Sequence, residues 1–160
     1  QAGDVLRDDQ KLPESRTAYR TAVNYYKKVS RLSPGDHAVR NNLANVYYAL
    51  GDYEKAAEGY EKAIQLKPGE ADYHYNLANT YSKMGMTKKA VEHYLRTLEM
   101  DPNYFDAYYN MANLYEKTGQ EEKAIEYYRE YANRENRPGE SEWVEKAWQK
   151  IYKLRGGRYY

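Results

Sequence analysis

Apolar, small and aromatic positions return in a fixed order every 34 residues along this chain. Leu43 recurs as Leu77 and Met111, Tyr47 as Tyr81 and Tyr115, and Gly51 as Gly85 and Gly119. Ala56 returns as Ala90 and Ala124, Tyr60 as Tyr94 and Tyr128, and Pro68 has counterparts at Pro34 and Pro102. A period of this length marks a stacked array whose units cannot bury their apolar faces alone. Each full unit reads as a first helix A, a tight turn, a second helix B and a connection marked by proline. The A helices are expected at about 37–50, 71–84 and 105–118, and the B helices at about 53–66, 87–100 and 121–133. The glycines at 51, 85 and 119 fall just past the A helices, where a left-handed cap needs a residue without Cβ. Small residues at 44, 78 and 112, and at 56, 90 and 124, let A and B backbones approach closely.

The ends depart from the period. Residues 1–14 put Pro13 where a helix-facing aromatic should stand, so they read as a leading segment with one helical turn around Val5 and Leu6. Residues 15–36 then hold the second helix of an incomplete first unit, with Ser15 as its N-cap and Ala22, Tyr26, Val29 and Leu32 in register. That helix leaves an apolar flank, to be covered by Val5, Leu6 and Leu12 folding back, by a second copy, or by chain trimmed from upstream. The first residue is Gln, so the chain reads as cut or processed, and removal of a signal peptide before its first residue is left open. Full units follow at 37–70, 71–104 and 105–138. A capping helix is expected within 139–155, where Trp143, Val144, Ala147, Trp148, Ile151 and Leu154 keep helical spacing. Both tryptophans read as packing residues. Residues 156–160 form a tail.

The best copy, L-A-N-V-Y…A-A-E-G-Y…P, resembles the tetratricopeptide repeat (TPR) over roughly residues 15–138. Alanine replaces the usual glycine of the L-G pair, and Tyr replaces Phe. The resemblance implies an all-α fold, a right-handed superhelical α-solenoid of antiparallel helix pairs. It also implies that the A helices line a concave surface and that the protein binds other proteins. It says little about any particular activity.

Composition narrows the partner class. Lys and Arg number 25 against 24 acids, a net charge of +1, which supplies no general attraction for nucleic acid or anionic membranes. No apolar run approaches a membrane span, so membrane insertion is not expected. The absence of cysteine excludes disulfides and thiolate chemistry and leaves the compartment open, cytoplasmic or exported. Tyrosine stands out at 21 of 160 residues. Seven (Tyr26, Tyr47, Tyr60, Tyr81, Tyr94, Tyr115 and Tyr128) fill packing positions of the repeat, and some of the others must reach solvent as flat amphipathic faces.

Two asparagines recur on every A helix: Asn42, Asn76 and Asn110, then Asn45, Asn79 and Asn113. Asn is a mediocre helix former, so six in strict register call for a reason. One reason is bracing between neighbouring repeats, strongest for Asn42, Asn76 and Asn110. The other is a ladder for an extended peptide, since a carboxamide can pair with both C=O and N–H. Similar ladders line the TPR superhelix of the O-linked N-acetylglucosamine transferase and hold peptide backbone there. Tyr48, Tyr75 and Tyr109, with Asn41 at the equivalent position, would form shallow shelves beside the ladder or pack adjacent A helices together. Lys83 and Lys117, with Asp72 and Asp106, lie near the edges of the same face. Chaperone-tail TPR domains instead use a Lys, Asn and Arg clamp for a C-terminal carboxylate. Only two of its five positions match here and every cation is missing, which disfavours that partner.

No catalytic constellation emerges. His37, His74 and His93 occupy three different repeat positions, and no His-Glu-x-x-His motif or phosphate-binding loop is present. The chain is therefore expected to be a non-catalytic interaction module without cofactor or metal, taking a protein or peptide partner on its Asn/Tyr face. The alternatives are a homo-oligomerising scaffold, built through the incomplete first repeat or the C-terminal tail, and the docking domain of a larger enzyme.

Overall fold

The computed structural model describes residues 2–135 and 139–157, with side chains from Arg16 onward. Every element among them is a helix: α1 (Ala2–Leu32), α2 (His37–Leu50), α3 (Tyr53–Leu66), α4 (Ala71–Lys83), α5 (Thr87–Met100), α6 (Phe105–Lys117), α7 (Glu121–Arg134) and α8 (Ser141–Leu154). The hairpins α2–α3, α4–α5 and α6–α7 are the expected A/B pairs. They stack so that α2 touches α4 and α4 touches α6, while α1 packs on α2 and α8 on α7. The A helices thus share one layer of a helical solenoid.

The same three contacts are rebuilt in each hairpin. Ala56, Ala90 and Ala124 on the B helices are fully buried, as are Ala44, Ala78 and Ala112 on the A helices. Tyr60, Tyr94 and Tyr128 are the largest fully buried side chains, and Leu77 and Met111 fill the space beside them. The turns repeat too. Gly51, Gly85 and Gly119 take φ of 79°, 73° and 73°. The residue after each returns its N–H to the A-helix carbonyl of Tyr47, Tyr81 or Tyr115, at 3.0, 2.9 and 2.9 Å. Asp36 and Asp52 cap α2 and α3 through side-chain oxygens.

Lys55, Lys89 and Lys123, one at the start of each B helix, lie over the rings of Tyr47, Tyr81 and Tyr115 at 5.5, 5.0 and 5.2 Å. A cation in the first helical turn opposes the helix dipole. The ring faces beneath these ammonium groups offset that cost.

The A–B contact is tight enough to exclude one methyl group. A Cβ on Gly59 would sit 2.8 Å from Ala44 Cβ. At the corresponding place the other hairpins set a side-chain pair: His74 stacked on His93, and Tyr108 beside Tyr127.

The N-terminal end differs from the sequence reading. Ala2–Leu32 is one helix, so Ser15 caps nothing, and the leading residues do not fold back over residues 15–36. Proline deletes one backbone donor and crowds one carbonyl; α1 accommodates it within a long helix. At the other end Tyr131 is buried, and α8 covers α7 as the expected cap. Asn136, Arg137 and Pro138, and the tail residues Arg158, Tyr159 and Tyr160, lie outside the described residues.

Candidate functional site

Asn45, Asn79 and Asn113 stand one below another on α2, α4 and α6, and each is tied to its own B helix in the same way. The hydroxyls of Tyr60 and Tyr94 donate to Oδ1 of Asn45 and Asn79 at 2.6 and 2.5 Å, and that of Tyr128 shares its single proton between Asn113 Oδ1 at 2.6 Å and the Glu116 carboxylate at 2.5 Å. Burial pushes all three phenols above the ordinary tyrosine range, helped at Tyr128 by a hydrogen bond to the Glu116 carboxylate. The hydroxyls therefore stay protonated and act as donors. Each bond uses one lone pair of the amide oxygen and restrains the side chain. The Nδ2 groups of Asn45, Asn79 and Asn113 donate to no other group among the described residues.

The second asparagine column joins neighbouring repeats. Asn76 Nδ2 reaches Asn41 Oδ1 at 3.4 Å. Asn110 Nδ2 donates to the Tyr75 hydroxyl at 2.8 Å and to Asn79 Oδ1 at 3.1 Å. Asn42, in register with Asn76 and Asn110, forms no such bridge among the described residues.

Three hollows run along this face. Asn45, Tyr48, Tyr60, Asn76 and Asn79 line the first. The second, of about 370 Å³, is bounded by Tyr48, Asn79, Ser82, Lys83, Tyr94, Asn110, Asn113, Leu114 and Lys117. The third, of about 210 Å³, holds Tyr75, Asp106, Tyr109, Asn110, Tyr131, Glu140 and Trp143. Tyr48 and Asn79 are common to the first two, and Asn110 to the second and third. The face thus gathers Asn45, Tyr48, Tyr75, Asn76, Asn79, Lys83, Tyr109, Asn110, Asn113 and Lys117, and leaves Asn41 and Asn42 outside the hollows.

The tyrosine shelves also brace the array. Tyr75 packs against Tyr104 with ring centres 4.7 Å apart, and Tyr104 donates to Asp72 at 2.8 Å. Tyr109 meets Tyr131 at 5.1 Å and Trp143 edge-on at 5.7 Å. Trp143, read from the sequence as a packing residue, also lines this face. It packs edge-on against Tyr109, is 45% exposed and lines the third hollow. The signal was the period itself, since Trp143 follows Tyr109 by the same interval that separates Tyr109 from Tyr75.

Chemistry is sparse. Among the described residues no three His, Cys, Asp or Glu side chains gather where a metal ion could be held. No described helix is long and apolar enough to cross a membrane. His37 meets the Tyr73 hydroxyl at 2.6 Å, and His74 shares one hydrogen bond with His93. All three histidines sit in packing positions and none lines the three hollows.

Family comparisons agree with this geometry. Profiles described as TPR repeat or tetratricopeptide repeat match residues 15–60, 44–85, 71–104 and 93–126. No curated protein sequence matches the chain. A crystal structure of MamA superposes with a TM-score of 0.79 at 24% identity, over 91% of this chain and 83% of that one. A second MamA structure gives 0.77 at 23% identity, over 97% and 83%. At such identities the likeness speaks for the solenoid fold alone. With the 34-residue cadence, the repeated hairpin contacts and four overlapping profile matches in agreement, the chain belongs to the tetratricopeptide repeat family.

Proposed function

We propose that the chain is a peptide receptor whose ligand, an extended segment of a partner protein, lies along the face of α2, α4 and α6. Repeats of this family serve as protein–protein interaction modules, typically without chemistry of their own. The observation that carries the finer reading is the asparagine column. Each Oδ1 of Asn45, Asn79 and Asn113 is held by a buried tyrosine, which leaves an Nδ2 donor fixed on a face lined by hollows. Fixed donors at a repeating interval suit the carbonyls of an extended backbone and carry no entropy cost of ordering at the moment of binding. Tyr48, Tyr75, Tyr109 and Trp143 offer flat, half-buried surfaces for the ligand's side chains.

The test separates bracing from binding. Replacing Asn45, Asn79 or Asn113 by Asp keeps the acceptor that the tyrosine needs and removes both amide donors. Each substitution should weaken a bound peptide by roughly 0.5–1.5 kcal/mol for the lost hydrogen bond, while the melting temperature stays near that of the parent. Unchanged affinity in all three variants would leave the column a purely internal brace.

A second reading is self-assembly through the ends of the array. Tyr25 and Leu32 on α1 are 62% and 76% exposed, and Trp148 on α8 is 44% exposed. Light scattering across a concentration series distinguishes it, since a peptide receptor of this kind stays monomeric.

A further inference from the structure

Resting on the peptide-receptor reading, we infer that the middle hollow is a carboxylate subsite, and that the bound segment places an aspartate or glutamate side chain between Lys83 and Lys117. Donors outnumber free acceptors on the hollow's walls, where the Asn110 amide oxygen takes no hydrogen bond among the described residues. Asn79 Oδ1 is taken twice, by Tyr94 at 2.5 Å and by Asn110 at 3.1 Å. Asn113 Oδ1 lies 2.6 Å from the Tyr128 hydroxyl, whose single proton it shares with the Glu116 carboxylate. What these two amides keep is their NH2 groups. The Ser82 hydroxyl and the two lysine ammonium groups add further donors to the same walls.

No aspartate or glutamate lines this hollow. Lys83 and Lys117 enter no ion pair among the described residues, and both are exposed. The acid next along the chain, Glu116, is turned to other work. Its carboxylate takes the Lys150 ammonium of α8 at 2.6 Å and the Tyr128 hydroxyl at 2.5 Å. On a chain of net charge +1, a wall of two cations and several neutral donors is a local feature that overall charge does not forecast. An anionic group with several acceptor lone pairs satisfies such a wall, whereas an amide or a cation does not.

The position of the hollow selects the source of the carboxylate. It shares Tyr48 and Asn79 with the hollow on one side and Asn110 with the hollow on the other. A ligand seated there continues in both directions, so its carboxylate belongs to an internal side chain and not to a chain terminus. The lysines lie near the C-terminal ends of α4 and α6, each the last residue of its helix.

The test uses the full chain and a displayed library of random twelve-residue peptides. Selected sequences are then synthesised with acetylated and amidated ends, so that side chains supply the only carboxylates. Wild type should select peptides with Asp or Glu at one fixed place. Changing that residue to Asn or Gln should weaken binding about tenfold or more. Lys83→Gln with Lys117→Gln should cause a similar loss for the acidic peptide, almost none for its amide counterpart, and a flatter dependence on salt. Melting of the double variant should match the parent, since both side chains are exposed. Peptides that bind without any acidic preference, or that ignore the lysine substitutions, would overturn the subsite and leave the receptor reading standing. Binding only by peptides with a free C-terminus would overturn the choice of an internal side chain. A library that yields no binder at all would overturn both readings together.

Discussion

The Tyr94 hydroxyl donates to Asn79 Oδ1 at 2.5 Å, from the middle of α5 to the middle of α4. The same bond recurs one repeat earlier between Tyr60 and Asn45 and one repeat later between Tyr128 and Asn113. It joins the packing of the repeat to its proposed working face. Tyr94→Phe deletes the donor and leaves the ring in place. Stability should fall by roughly 0.5–1.5 kcal/mol, because Asn79 Oδ1 keeps its bond from Asn110. Affinity for a selected peptide should fall several-fold, because the Asn79 amide loses the bond that orients it and the middle hollow loses a lining hydroxyl. Chemical denaturation and titration calorimetry on the same variant check the two effects.

Gly59→Ala tests how closely the first hairpin is packed. The new Cβ would meet Ala44 Cβ at 2.8 Å, and neither atom is the end of a flexible side chain. The helices must separate, at a cost on the order of 1–3 kcal/mol, which outweighs the gain in helix propensity of up to about 1 kcal/mol. A denaturation midpoint equal to or above that of the parent would contradict this packing.

The His74–His93 pair predicts a pH dependence of stability. Their Nδ1 atoms are 3.0 Å apart, and one neutral ring must donate to the other. Burial lowers both pKa values; at His74 a hydrogen bond to the Pro68 backbone opposes it and Arg96 adds to it, and at His93 the His74 charge and Lys89 add to it while Glu92 and Glu61 oppose it. The folded chain therefore takes up protons less readily than the unfolded chain. The pair's stability is complete above the unfolded histidine pKa of about 6.5. It declines as pH falls from there to the lower folded values, and flattens beneath them. Melting temperature should drop between pH 7.5 and 5. The double change His74→Tyr with His93→Tyr, which copies the Tyr108–Tyr127 pair of the next repeat, should flatten that drop. The lowered carboxylates Asp52, Glu70, Glu116 and Glu142 act in a more acidic window.

Much of the architecture is written in the period. Glycines 51, 85 and 119, alanines 56, 90 and 124 and the paired tyrosines mark hairpins whose observed bounds differ from the expected ones by one residue at most. The helix-forming residues around Pro13 were harder to read, because a single proline weighs heavily in a sequence rule and less in a helix of 31 residues. Side-chain partnership was harder still. The six asparagines are visible as a register, with bracing between repeats expected most at Asn42, Asn76 and Asn110, yet only geometry shows the tyrosine that holds each of Asn45, Asn79 and Asn113. Asn42 keeps the register and makes neither bond among the described residues. Trp143 was legible as the next member of the Tyr75–Tyr109 series, but the break in the period before α8 hid it.

The most direct test is to follow the side-chain amide resonances of Asn45, Asn79 and Asn113 by nuclear magnetic resonance while a selected peptide is titrated into the full chain. A ligand lying along α2, α4 and α6 should shift all three NH2 pairs together, at one common affinity, and leave the Lys55, Lys89 and Lys123 side of the B helices unmoved. Shifts confined to the B helices or to the exposed flank of α8, with the three amides silent, would contradict the account.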